Sequence, residues 1–160
     1  MNDFRSPPLD VVLLATEWQP RALLRAQLIE EGFEVLATNN WSTMRRFLRP
    51  GSKPALAIVD LQGLGEPDRV LKDLKILMKP SRVLVLTSIG TVAPDEIEAL
   101  GFQVVRRPIR VGSLIATAAR TLHNDKSSAL DAGGFSQTET KRDEHDSAGQ
   151  RVRRESPGNP

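Results

Sequence analysis

The sequence predicts an α/β fold, a single doubly wound sheet of five parallel strands, on three observations. Short, continuous apolar runs rich in β-branched residues recur along the chain, as strands buried on both faces require. Segments with helical period separate them. The connections are short, and alternating strand and helix then place helices on both sides of one parallel sheet.

In chain order, Val11-Val12-Leu13-Leu14-Ala15 reads as the first strand. A helix over residues 21–31 carries Leu24 and Leu28 at i, i+4 and stops at Gly32, a natural left-handed cap. Val35-Leu36-Ala37 is a weaker strand, and Trp41, Met44 and Leu48 form a narrow helical stripe that ends before Pro50. Ala55-Leu56-Ala57-Ile58-Val59 is the third strand. Val70, Leu71, Leu74, Leu77 and Met78 then share one helix face up to Pro80. Val83-Leu84-Val85-Leu86 is the fourth strand. Pro94, Asp95 and Glu96 open a short helix, with proline in its first turn and acids where the macrodipole favours them, and Gly101 closes it. Phe102-Gln103-Val104-Val105 is the fifth strand. Val111, Leu114, Ile115, Ala118, Ala119 and Leu122 mark the last helix, with Arg110 and Arg120 outside its stripe.

A chain of 160 residues that is 39% hydrophobic accommodates one domain with polar sequence to spare. We divide it into a lead over residues 1–8, a domain over 9–123 and a disordered polar tail over 124–160, where the apolar period vanishes. There is no cysteine, and His123 and His145 lie near or within the tail, which excludes a disulfide framework and thiolate zinc. No apolar run approaches the ~20 residues of a membrane span, and the first ten residues lack signal-peptide character. The expected compartment is the cytoplasm. A net charge of +2, with basic residues scattered, argues against nucleic acid as the main partner. Arg45, Arg46 and Arg49 read as a solvated helix face. In the tail, Arg151, Arg153 and Arg154 are offset by Glu139, Asp143, Glu144, Asp146 and Glu155, as in a solvated tether.

Ligands and reacting groups of open α/β sheets gather at the carboxyl ends of the strands, near the point where strand order reverses. Those ends carry Ala15-Thr16-Glu17, Asp60, Thr87-Ser88 and Arg106-Arg107-Pro108. An acid, a hydroxyl and a cation therefore converge. Each has a structural reading as well. Asp60 can cap a turn, Thr87 can bond backbone at a strand end, and Glu17 can be a solvated acid at the start of a helix. Gly63-Leu64-Gly65 lacks the third glycine of a dinucleotide fingerprint and is set aside.

The order of apolar strand plus Asp60, apolar strand plus Thr87, and Arg107-Pro108 resembles the receiver domain of bacterial response regulators. Pro-Arg-Ala-Leu-Leu ahead of Glu-Glu-Gly-Phe-Glu-Val is similar to the family's text as well, and the likeness covers residues 9–123. The resemblance implies a (βα)5 flavodoxin-like receiver fold and a role in two-component, phosphorelay signal transduction. It also implies a phosphoacceptor at Asp60, a phosphate-bonding hydroxyl at Thr87, a cation at Arg107 and a histidine kinase or effector as partner. The face built from the fourth helix, fifth strand and fifth helix, with Arg106 and Arg110, becomes the docking and homodimer surface.

This chain departs from the pattern. The acid pair that holds Mg²⁺ in the family falls at Ala15 and Thr16, leaving only Asp60 and Glu17 to attempt it. Arginine replaces lysine at 107, where a bidentate pair with Asp60 becomes available. The strand-5 aromatic of the family's switch is Val104. The expectation is thus a pseudo-receiver acting by protein–protein docking, not an enzyme, with no cofactor and little or no Mg²⁺-dependent phosphorylation. Two alternatives stand beside it: a working phosphoacceptor at Asp60, and a small flavodoxin-like ligand-binding domain.

Overall fold

The computed structural model describes residues 8–50 and 54–132. The rest of the predicted lead and the predicted disorder of residues 133–160 fall outside those residues. Five strands, β1 (Val11–Leu14), β2 (Val35–Thr38), β3 (Leu56–Asp60), β4 (Val83–Thr87) and β5 (Gln103–Arg106), form one parallel sheet in the order β2-β1-β3-β4-β5. The expected fold class holds. Helices α1 (Trp18–Glu30), α2 (Trp41–Phe47), α3 (Pro67–Leu77), α4 (Pro94–Ala99) and α5 (Val111–Ala132) connect and cover the strands.

Alternation along each strand divides the core in two. Val11, Leu13, Leu56, Ile58, Leu84 and Leu86 point to one face and pack on Leu24 and Leu28 of α1 and Leu114, Ile115, Ala118 and Leu122 of α5. Val12, Leu14, Ala57, Val59, Val83 and Val85 point to the other and meet Met44 of α2, Val70, Leu71 and Leu74 of α3, and Ile97 of α4. Strands β1, β3 and β4 are buried throughout because both faces are covered, whereas the edge strands β2 and β5 are mostly half-buried. That difference explains why β2 is the weakest strand signal in the sequence.

Three boundaries differ from expectation. Helix α1 begins at Trp18, so Pro20 lies in its first turn, where a missing N–H costs nothing. Met78 is buried but extended just after α3, leaving the helix before Pro80. Helix α5 runs to Ala132, nine residues beyond His123, since no glycine or proline interrupts the chain before Gly133.

Candidate functional site: a strand-end pocket closed by its own side chains

Strand order reverses between β1 and β3, so the carboxyl ends of β1, β3 and β4 surround one spot. Asp60 is the last residue of β3 and Thr87 the last of β4. Both are 2% exposed, the depth at which a polar side chain needs partners. The Arg107 amide continues the β5 ladder by donating to the Thr87 carbonyl at 2.9 Å, which aims the arginine back over β4 toward β3.

The structure joins Asp60 and Arg107 directly. Nη2 of Arg107 donates to Oδ2 of Asp60, while the Gln62 amide donates to Oδ1 at 3.1 Å in an Asx turn. A bidentate pair was expected, and the contact is instead made through one nitrogen. The second carboxylate oxygen is already engaged by the Gln62 amide, and Nε of Arg107 is left buried without a hydrogen-bond partner. Burial pushes the Asp60 carboxyl above its ordinary pKa; the Gln62 amide and the Arg107 guanidinium pull it down without offsetting that desolvation, and Glu17 adds a small upward push.

The end of β1 is closed by hydrogen bonds rather than by an ion pair. Thr16, at one of the two positions where an acid was missing, donates its hydroxyl to the Gln62 carbonyl at 2.7 Å. Gln62 in turn donates its side-chain amide to Oε1 of Glu17 at 2.9 Å. Arg21, one turn into α1, sets Nη1 on the carbonyls of Ala15 at 2.7 Å and Thr16 at 3.1 Å. Gly63 makes the approach of the two loops fit: its φ is +76°, and a Cβ there would collide with the Thr16 hydroxyl.

Thr87 stands beside the pair, but its hydroxyl serves its own loop. It lies 2.7 Å from the Thr91 hydroxyl and donates to the Val92 carbonyl at 3.0 Å, while Thr91 caps the turn on the Ser88 carbonyl at 2.8 Å. Val104, where the relay aromatic was missing, is half-buried against the α3–α4 side of the core. On the predicted docking face, Arg106 and Arg110 are exposed, and Arg106 reaches Asp95 of α4 at 3.9 Å. An exposed pair of that length stabilises little.

Mg²⁺ takes about six oxygen ligands in octahedral array, usually with one or two carboxylates among them. Among the described residues no group of three ligating side chains lies together. The oxygens nearest Asp60 are committed elsewhere: Asp60 itself to Arg107 and the Gln62 amide, Glu17 to Gln62, and the Gln62 carbonyl to Thr16. These residues do not fit the ion. A hollow beside Thr87, Ser88, Ile89, Pro94, Arg106 and Arg107 encloses about 210 Å³, below the roughly 300 Å³ at which cofactor sites begin.

Sequence reasoning located Asp60, Arg107 and Thr87 and missed Arg21, Gln62 and Thr91. Gly63 was an available signal for Gln62, since a glycine three residues after a strand-end acid marks a left-handed turn against a neighbouring loop.

A scan against protein-family models finds no match, and neither does a comparison with curated proteins. Solved structures do match. The signal receiver domain of a putative Luxo repressor protein from Vibrio parahaemolyticus aligns with a TM-score of 0.66 at 21% identity, over 77% of this chain and 96% of that one. A response regulator receiver domain protein from Clostridium thermocellum aligns at 0.59 and 21% identity, over 75% and 98% of the two chains. NtrX from Brucella abortus aligns at 0.64 and 20% identity, over 78% of this chain but only 29% of its own length. The chain therefore has the receiver fold, as the residue pattern led us to expect. Among the described residues no helix is long and apolar enough to cross a membrane.

Proposed function

We propose that this chain is a receiver-type signalling module of a two-component or related pathway that works in the cytoplasm by docking to a partner protein, without a Mg²⁺-dependent phosphorylation cycle. One observation carries the reading: the buried Asp60 carboxylate is held by the chain's own Arg107, in a pocket where Thr16 donates to the Gln62 carbonyl and the Gln62 side-chain amide donates to Oε1 of Glu17. A receiver switches because a metal and a phosphoryl group change the charge at this spot. Here a guanidinium supplies a permanent positive charge, so the site is locked in one state. Asp60, Thr87 and Arg107 then act as structural members of the pocket. The partner, a histidine kinase or an effector, meets the face of α4, β5 and α5 with Arg106 and Arg110, which also serves a homodimer.

The receiver fold and the chemistry of the pocket support this reading over the flavodoxin-like alternative, for which the hollow is too small. The direct test is to incubate the full chain with acetyl phosphate and Mg²⁺ and measure its intact mass. The expected result is no adduct above that of Asp60→Asn. Rapid, stoichiometric gain of one phosphoryl group that Asp60→Asn abolishes would establish the phosphoacceptor alternative instead.

A further inference from the structure

On the face of the sheet away from α1 and α5, a cleft of about 440 Å³ opens between α2 and the end of α3. Its size lies within the range of about 300–1,000 Å³ typical of ligand sites. Helix α2 ends before β3 and α3 before β4, so the cleft lies toward the amino ends of the strands. The length of β3 separates that level from Asp60, roughly 13 Å. The described lining residues are Ser42, Arg45, Arg46 and Arg49, with Leu77 as an apolar wall, and no carboxylate is among them.

The three arginines read in the sequence as a solvated helix face; the structure adds that they share one cleft and that no acid answers them. Ser42, Arg45, Arg46 and Arg49 stand at i, i+3, i+4 and i+7, the spacing that keeps four side chains on one side of a helix and its continuation, and all four are exposed. Among the described residues none of the three guanidinium groups makes an ion pair or a hydrogen bond. Arg69 and Arg106, by contrast, each reach an acid, Glu66 at 3.0 Å and Asp95 at 3.9 Å. The α2 macrodipole favours Arg45 and Arg46, which lie in its last turn. Arg49 lies beyond the Leu48 cap, and like charges at i, i+4, as on Arg45 and Arg49, oppose each other. The stability of α2 thus gives no reason for the third cation.

We propose that this cleft docks an acidic segment of a partner protein, one with carboxylates flanking an apolar side chain. Carboxylates take guanidinium groups in charge-assisted, often bidentate bonds, and clusters of arginine are a recurring means of reading acidic motifs. The apolar side chain packs on Leu77, which is half-buried. Ile76, the residue before it on α3, is 84% exposed and adds to the apolar surface of that helix. This apolar wall favours a protein segment over a bare phosphate or a nucleic-acid backbone, neither of which has anything to place on it. The surface is separate from Asp60 and from the face of α4, β5 and α5, and it stands whether or not either is used.

The test is titration of the full chain with a blocked peptide of Glu-Glu-Leu repeats at low ionic strength, followed through backbone amide resonances. A Glu-Glu-Ser peptide of equal length, inorganic pyrophosphate and single-stranded oligothymidine are titrated beside it. The expected result is saturable shifts centred on Ser42, Arg45, Arg46 and Leu77, with weaker binding of the serine peptide, pyrophosphate and oligothymidine. R45A/R46A, at exposed positions, should weaken binding of the Glu-Glu-Leu peptide at least about fivefold, the scale of two lost exposed charge pairs. The charge-matched control R25A/R120A, on α1 and α5, should leave it unchanged. Absence of saturable shifts at those amides at millimolar peptide overturns the proposal. Equal weakening by the control does so as well, because it reduces the effect to net charge. Equal binding of the serine peptide removes the role of Leu77, and tighter binding of pyrophosphate or oligothymidine overturns the assignment to a protein segment.

Discussion

The ends of β1 and β3 lie side by side at the same edge of the sheet, yet they are closed by different physics. At β3 the means is ionic: a buried carboxylate against an arginine that is itself about a quarter exposed. At β1 there is no ion pair: a threonine hydroxyl bonds a backbone carbonyl, and a glutamine amide reaches Glu17. The ionic closure places a charge in a poor medium and depends on its partner. The Thr16 bond at β1 joins two uncharged groups, a hydroxyl and a backbone carbonyl, and needs no ionic partner. The two therefore answer perturbation differently.

The largest effect should come from breaking the ionic closure on its exposed side. Arg107→Ala leaves Asp60 buried and uncompensated, and should cost about 3 kcal/mol at neutral pH in chemical denaturation. Its pH dependence has a definite sign. Asp60 already has a folded-state pKa above its unfolded value because of burial, and loss of Arg107 raises it further. The folded state then takes up a proton before the unfolded state as pH falls. The penalty is thus fully present above the folded-state pKa and disappears as pH drops through it toward the ordinary aspartate value. A deficit that stayed constant from neutral pH to that range would contradict the ionic account.

Gly63→Ala should come next, at about 2 kcal/mol, because it combines a left-handed φ with a collision against Thr16. Thr16→Ala should cost about 1 kcal/mol by leaving the Gln62 carbonyl without its donor. Its cost should not vary with pH between neutral and the ordinary aspartate range, and this sets it apart from Arg107→Ala. If Thr16→Ala followed the same pH profile, the two closures would be one coupled network.

The fold was legible because its signals are periodic and local. Val11 to Leu14, Leu56 to Val59 and Val83 to Leu86 are apolar without interruption, as strands covered on both faces must be. The stripe from Val111 to Leu122 likewise announced α5. The end of α5 was not legible: beyond His123 the apolar stripe stops while the helix continues, because helix propagation needs no buried face over a few turns when no breaker intervenes. At the site, residue order placed Asp60, Thr87 and Arg107 at neighbouring strand ends. It did not reveal that the Thr87 hydroxyl turns to Thr91 and Val92, or that Arg21 grips the carbonyls of Ala15 and Thr16. Those contacts depend on side-chain direction in loops, which carry no period.

The most direct test of the central claim, that the pocket's own groups occupy the place of a divalent cation, is a Mg²⁺ titration followed through the backbone amide resonances of Thr16, Asp60 and Gln62. The account predicts only small, non-saturating shifts up to millimolar Mg²⁺, the same in wild type and Asp60→Asn. Saturable shifts centred on those three amides, lost in Asp60→Asn, would contradict it.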